Sequence, residues 1–221
     1  MICIKEEIMG DFNKITHEKI RQATKNNKEI IKNIDNRLPP GQSLTKKFPI
    51  LDLEITPDVD LHNWRLEIFG LVKNPLLTSF NDLKCMPQIK DISNFHYVTY
   101  WSKYNVQWGG VSLKFIPNEA GMLKNLNFIT LHSYDNYIAN LPIKSLLDDD
   151  ALIAHELFDK PLDIKGGGPV TILVPKKYAW KSAKWIKGIK IHEKDRPGFW
   201  EVRGYHNNAD PWKDERYSPD E

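Results

Sequence analysis

The sequence predicts an α+β fold that is rich in strands and built around one main domain. The chain has 221 residues, of which 41% are hydrophobic and 11% aromatic, enough for one sizeable core. Beyond residue 36, short runs of alternating apolar and polar residues are typical of half-buried strands. Helical spacing is largely confined to the start of the chain. We therefore expect a helical extension over residues 1–36 and one α+β domain over residues 37–221.

The N-terminal extension is predicted from a loosely helical spacing of apolar residues between Asp11 and Asn36. Pro39, Pro40 and Gly41 then end any helix. Because the residue before a proline disfavours helical backbone angles, this stretch should be extended. We predict that it lies across the body of the domain.

The domain itself should consist mainly of short strands. Residues 64–69 alternate as a half-buried strand, and Thr78 or Ser79 can cap a short helix that runs through Leu83 and ends before Pro87. Two strands are predicted on either side of a turn at Ser133–Asn136. Taken in order, the later strand predictions cover residues 128–132, 137–141, 151–157, 170–174 and 186–191.

Composition excludes several classes of protein. The 31 basic and 29 acidic residues give a net charge of +2, which argues against nucleic acid as the main partner. Cys3 and Cys85 are too few for a disulfide framework and lack zinc or iron–sulfur spacing. The first ten residues do not resemble an export signal, and no run is long and apolar enough to span a membrane. We expect a cytoplasmic protein without a membrane partner.

The run from Pro175 to His192 predicts a binding site for a flat anion. It holds six lysines and no acidic residue, with Tyr178, Trp180 and Trp185 among them. Lysines attract a phosphate or oxyanion, while aromatic rings offer faces to a planar group. The alternative is a solvated strand edge, where lysines prevent aggregation.

The lysine-rich run is one of several segments whose combined order and spacing are specific enough to indicate a protein family. They resemble the sulfite-oxidase-like molybdopterin oxidoreductases over about residues 37–217. The resemblance implies a strand-rich molybdopterin-binding domain of the sulfite-oxidase type and oxygen-atom transfer at a molybdenum–pterin centre. The segments that carry it are Arg37–Gln42, Trp101–Ser102, Trp108–Val111, Asp135–Tyr137, Gly167–Pro169, Gly198–Trp212 and Asp214–Arg216.

The resemblance also implies which residues contact the cofactor. Ser182, Ala183, Lys184 and Trp185 match the stretch that holds the pterin and its phosphate, and Arg37 is in place. Two positions depart from the family pattern. Gly166 stands where a histidine or asparagine is common, and Thr171 stands where an arginine is common. Because threonine lacks the charge and reach of arginine's fork, phosphate affinity should be lower.

The metal ligand departs from the pattern as well. In the family a cysteine thiolate binds molybdenum, and its place, four residues before the Trp101–Ser102 pair, is taken by Tyr97. Tyr97 is therefore either an unusual metal ligand and catalytic residue or filler of a lost metal pocket. His155 matches the active-site tyrosine of some relatives, and the alternative is a packed or surface histidine.

Three functions stay open. The chain is a molybdopterin-dependent oxidoreductase for a small-molecule substrate, or a non-catalytic protein that binds a pterin or another anion, or a surface module whose exposed lysines and tryptophans meet nucleic acid or protein. Packing of Tyr97, Trp101 and Trp108 at the cofactor position would argue against a bound cofactor. An open cleft lined by Arg37 and Lys184 would argue against the surface module.

Overall fold

The computed structural model describes residues 36–46, 56–123 and 126–218, which form two β-sheets with short helices. The predicted helical extension over residues 1–36 lies outside the described residues, except for Asn36. Within the described ranges, no helix has the length and apolarity needed to cross a membrane.

The first sheet has six strands among the described residues. They are β1 (Ser43–Leu44), β4 (Gln88–His96), β5 (Trp101–Ser112), β8 (Leu152–Leu157), β9 (Lys160–Pro161) and β10 (Thr171–Leu173). The central strand, β5, pairs with β4 through an antiparallel hairpin, with β1 in parallel, and with β8 in the antiparallel direction. β8 then pairs with β9 and β10.

In the described part of the chain, the second sheet consists of β2 (Arg65–Gly70), β3 (Leu76–Ser79), β6 (Phe128–Ser133), β7 (Ile138–Pro142) and β11 (Ile186–His192). Their order in the sheet is β3–β2–β11–β6–β7. Among these pairs, only that of β2 with β11 is parallel. The helices of the described ranges are α1 (Phe80–Cys85) and α2 (Phe115–Glu119), with 3-10 turns at Ile143–Leu147, Ala179–Lys181, Glu201–Arg203 and Pro211–Lys213.

The main core lies between the two sheets, because its side chains come from both. Ile153 and Ile172 contribute from the first sheet, and Leu66, Ile129 and Ile189 contribute from the second. A second apolar cluster covers the other face of the first sheet. We call it the Tyr97 cluster; its buried members are Phe95, Tyr97, Trp101, Val106, Trp108, Leu152, Ala154, Leu162 and Leu173.

The α+β class and the strand-rich architecture predicted from the sequence are confirmed. The predicted strands β2, β6, β7, β8, β10 and β11 are present, each within one residue of its expected bounds. The predicted short helix is α1, which Ser79 caps by accepting a hydrogen bond from the Asp82 backbone N–H. The long hairpin of β4 and β5 was not predicted, and it carries Tyr97.

Candidate cofactor site

A tight hairpin turn presents Tyr97. The Tyr97 N–H donates to the Trp101 carbonyl at 2.9 Å, which leaves the three residues Val98–Tyr100 as the loop. Tyr100 has a φ of 67°, the left-handed conformation of the last residue in a three-residue hairpin loop, where glycine is usual. The Arg216 guanidinium lies 4.0 Å from the Tyr100 ring centroid and donates to the Val98 carbonyl at 2.6 Å. The turn is therefore fixed by contacts from the C-terminal end of the chain.

The side chain of Tyr97 is packed inside the Tyr97 cluster. It is 9% exposed, stacks on Trp101 with ring centroids 3.6 Å apart, and meets Phe95 edge to face at 5.2 Å. Burial raises the pKa of the Tyr97 phenol well above its ordinary value of 10.0, because a phenolate loses its solvation inside an apolar cluster. Since metal binding requires the phenolate, this environment opposes a bond from Tyr97 to a metal.

The predicted pterin-binding segments do come together. The Trp185 backbone N–H donates to the Gly167 carbonyl at 3.1 Å, and a Cβ atom added to Gly167 would lie 2.8 Å from Lys184 Cγ. Thr171 Oγ1 donates to the Ala183 carbonyl at 2.8 Å. Gly166 adjoins Gly167 in the same turn. Ser182 and Lys184 are half-buried, whereas Ala183 and Trp185 are buried. We call these contacting segments, Gly166–Gly168, Thr171 and Ser182–Trp185, the cradle.

The cradle borders the Tyr97 cluster. Thr171 pairs in register with Ala154, and Ala154 belongs to the cluster. A Cβ atom on Gly168 would collide with the carbonyl oxygen of Leu162, another cluster member. The cluster does not include residues 182–185. Tyr97, Trp101 and Trp108 therefore pack together next to the cradle rather than in it.

Arg37 and His155 lie elsewhere. Arg37 Nη1 donates to Asn105 Oδ1 at 3.4 Å, and its guanidinium stands 4.5 Å from the Tyr104 ring centroid, so it packs against β5. His155 shares a 2.7 Å hydrogen bond between its Nε2 and Gln88 Oε1, and its ring meets Phe80.

His155 occupies the face of β8 opposite to Ala154, because successive strand residues point to opposite faces. It is buried among the residues near α1. Burial lowers the pKa of His155, with Lys84 adding to the effect and Glu156 opposing it. These contacts do not bring His155 to Tyr97, and its catalytic role stays a prediction.

The aromatic residues of the lysine-rich run are inside the protein. Tyr178 is fully buried, and Trp180 and Trp185 are 8% and 3% exposed. The surface module and the stacking of a planar anion on this run both require these rings to be exposed, so that part of both predictions is wrong. Lys181 is also fully buried and bonds to Glu201 and Asn140. It is therefore not part of a surface that attracts anions.

The donor set near Tyr97 does not fit a protein-ligated metal. In the part of the chain that the structure describes, no group of three or more His, Cys, Asp or Glu side chains is arranged to hold a metal ion. Cys85 is exposed at the end of α1, and Cys3 lies outside the described residues. The phenol of Tyr97 is held in its neutral form.

A polar heterocycle such as a pterin fits the surroundings better. Gln42 Nε2 donates to the Tyr97 carbonyl at 2.9 Å. Three buried atoms, Gln42 Oε1, Thr99 Oγ1 and Trp101 Nε1, have no hydrogen-bond partner among the described residues. Buried polar atoms of this kind usually bind water or a ligand, and a pterin edge carries both donors and acceptors. Gln42 and Arg216 had no predicted role, although both belong to the segments that carry the resemblance.

Comparisons with known proteins identify the family of the chain. The family model described as "Oxidoreductase molybdopterin binding domain" matches residues 53–200. The uncharacterized oxidoreductase YuiH of Bacillus subtilis is 37% identical over 185 residues, which cover 83% of this chain and 93% of YuiH. The methionine-sulfoxide reductase catalytic subunit MsrP of Campylobacter jejuni is 25% identical over 181 residues, covering 72% of this chain and 61% of MsrP.

Among solved structures, the sulfane dehydrogenase SoxCD of Paracoccus pantotrophus matches with a TM-score of 0.60 at 19% identity. The match covers 68% of this chain and 43% of the SoxCD chain. At that identity the likeness concerns the fold alone. The chain spans less than two thirds of the length of both MsrP and SoxCD.

Proposed function

The chain belongs to the oxidoreductase molybdopterin-binding domain family. We propose that it binds a molybdopterin-type cofactor and that Tyr97 does not bind the metal of this cofactor. The observation that carries this proposal is the packing of Tyr97. Its ring stacks on Trp101 at 3.6 Å, and its raised pKa keeps the oxygen protonated. The sulfur atoms of the pterin would then hold the metal without a side chain at position 97.

The cradle residues would hold the pterin. Lys184 brings a positive charge to the edge of the cradle, and the absence of a side chain at Gly167 leaves room for Lys184. Thr171 supplies no charge to a phosphate, and its hydroxyl is already bonded to the Ala183 carbonyl. We therefore expect a lower phosphate affinity than an arginine at position 171 would give.

The second candidate is catalysis of oxygen-atom transfer, the chemistry that a bound molybdenum cofactor supplies. This candidate is supported by similarity to YuiH, which is named an oxidoreductase, and to MsrP, which is named a protein-methionine-sulfoxide reductase. On this chain, Tyr100 and Trp212 are 47% and 51% exposed beside the hairpin and offer apolar surface to a substrate side chain. The substrate would be a small molecule or a side chain carrying a transferable oxygen.

The test is to measure molybdenum and pterin in protein purified from a host that makes the cofactor. Molybdenum is measured by elemental analysis and pterin by fluorescence after oxidative release. We expect pterin in the wild-type protein, and several-fold less of it in Lys184→Ala. Tyr97→Cys should raise the ratio of molybdenum to protein, because a thiolate is a soft, readily deprotonated ligand. Lys187→Ala, outside the cradle, serves as the control and should match the wild type.

The outcomes separate the candidates. If the wild type contains pterin but little metal, and the metal content rises only in Tyr97→Cys, the chain is a cofactor-binding protein in which no protein thiolate holds the metal. Near-stoichiometric metal and pterin in the wild type, with turnover of a sulfoxide, supports the oxidoreductase. Absence of both metal and pterin from the wild type and from Tyr97→Cys would overturn the proposal.

A further inference from the structure

A buried ion pair stands directly before the cradle segment Ser182–Trp185. Lys181 Nζ lies 2.5 Å from Glu201 Oε1, and the two side chains are 0% and 3% exposed. Lys181 ends the 3-10 turn Ala179–Lys181, so it is the neighbour of Ser182. Glu201 belongs to the C-terminal segment, which we define as residues 193–218. The pair therefore joins the start of the cradle segment to a distant part of the chain.

Every donor of the Lys181 ammonium has an acceptor. Besides Glu201, Lys181 Nζ donates to the Asn140 carbonyl at 3.0 Å and to Asn140 Oδ1 at 2.7 Å. An ammonium has three donors, so the side chain has one fixed position. Trp180 Nε1 also donates to Glu201 Oε1, at 3.1 Å. Two consecutive residues of the turn are thus anchored on one carboxylate.

Asn140 extends the network into the C-terminal segment. Its Nδ2 donates to Asp195 Oδ1 at 2.7 Å and to Asn207 Oδ1 at 2.6 Å. Asn140 is 2% exposed and lies on β7. The second sheet, the turn before the cradle and the C-terminal segment therefore meet at one polar centre.

Such a centre adds little net stability for its size. Burying two charges costs solvation that their attraction only partly offsets, and well-packed apolar side chains often replace a buried pair without loss. What the network does supply is direction, because every donor of Lys181 has an acceptor and Glu201 Oε1 accepts from both Lys181 and Trp180. The turn in turn orients Ser182, the first residue of the cradle segment. The Ser182 backbone N–H donates to the Ala179 carbonyl at 3.0 Å, and Ser182 Oγ accepts from the Val174 N–H at 3.1 Å.

We propose that Lys181 and Glu201 are positioning residues whose ion pair sets the orientation of Ser182–Trp185, so that the affinity of the cradle for its ligand depends on the C-terminal segment. The identity of the ligand rests on the proposed function. The positioning itself does not, because it is a property of the backbone between residues 182 and 185.

The experiment compares Lys181→Met, the double variant Lys181→Met/Glu201→Leu and the control Lys90→Met. Lys90 forms an ion pair with Asp159 in which both side chains are more than half exposed, so it is a matched surface pair. Three quantities are measured: the thermal midpoint, the pterin content, and the hydrogen exchange of backbone amides in residues 182–185. Lys181→Met leaves Glu201 buried without its partner and should lower the midpoint.

The double variant isolates positioning from stability. We expect its midpoint to return towards that of the wild type, because no unpaired charge stays buried. Its amides at residues 182–185 should nevertheless exchange about tenfold faster than in the wild type, and its pterin content should stay several-fold lower. Lys90→Met should leave all three quantities unchanged.

Two results separate this inference from the proposed function. A double variant with wild-type exchange at residues 182–185 and full pterin content would show that the pair only supports the fold, and the inference would be overturned. Wild-type protein without pterin would overturn the proposed function alone, because the exchange rates still report on positioning.

Discussion

At Tyr97, packing and metal binding make opposite demands on one side chain. The ring adds to an aromatic stack that covers one face of the first sheet, and aromatic pairs contribute about 1 kcal/mol beyond their buried area. A metal bond needs the deprotonated oxygen, which the same burial disfavours. A cysteine at this position would avoid the conflict, because its thiolate forms at a lower pH.

His155 gives a test of pH dependence at the level of one residue. Burial holds its pKa below the ordinary 6.5, so between 6.5 and the lower folded value the unfolded chain binds the proton and the folded chain does not. The free energy of unfolding should therefore fall as the pH falls through this window. In His155→Gln, which keeps a donor for Gln88, the loss between pH 7 and pH 5 should be smaller.

Urea unfolding at the two pH values measures the effect. A residual loss is expected in the variant, because burial also lowers the pKa values of His132 and His192. An identical loss in wild type and variant would contradict the neutral, buried state of His155.

Among the elements, the helix α1 has the N-terminal cap that the sequence predicts. Ser79 Oγ accepts from the Asp82 N–H, and Asp82 accepts from the Ser79 N–H at 3.0 Å. This capping box satisfies backbone donors that a six-residue helix cannot satisfy itself. Ser79→Ala should lower the free energy of unfolding by about 1 kcal/mol. Asn81→Ala, exposed in the same helix, should change it little; equal losses in the two variants would speak against the cap.

The strand β5 could not be predicted from the sequence, for two physical reasons. β5 has core residues on both faces, since Val106 and Trp108 join the Tyr97 cluster while Val111 joins the main core. Its register also shifts between Gly109 and Gly110. Both features remove the alternation that reveals a half-buried strand.

The candidate site was predictable where it depends on short segments. Gly166–Gly168, Thr171 and Ser182–Trp185 meet in the fold, and their role in binding a cofactor stays a prediction. The different environments of Lys181 and Lys184 were not predictable, although the two lysines are three residues apart. Lys181 is buried because Glu201 and Asn140 reach it from other parts of the fold, and such contacts leave no local pattern in the sequence.

For the molecule as a whole, the shared core decides how the two sheets unfold. Ile153 of the first sheet and Leu131 of the second are both fully buried in the main core. Neither sheet can separate without exposing the apolar face of the other, and exposure of apolar area is the main cost of unfolding. The described domain should therefore unfold as one cooperative unit.

Leu131→Ala and Ile153→Ala test this coupling from the two sides of the core. Each substitution should lower the free energy of unfolding by about 2–5 kcal/mol through lost burial and the cavity left behind. Circular dichroism follows both sheets, whereas hydrogen exchange of the backbone amides of β5 follows the first sheet alone. In each variant the two signals should change at the same urea concentration, because the second sheet cannot open alone. Separate transitions in Leu131→Ala, with the protection of the β5 amides lost at a higher urea concentration than the circular dichroism signal, would show instead that the first sheet and its Tyr97 cluster are stable independently.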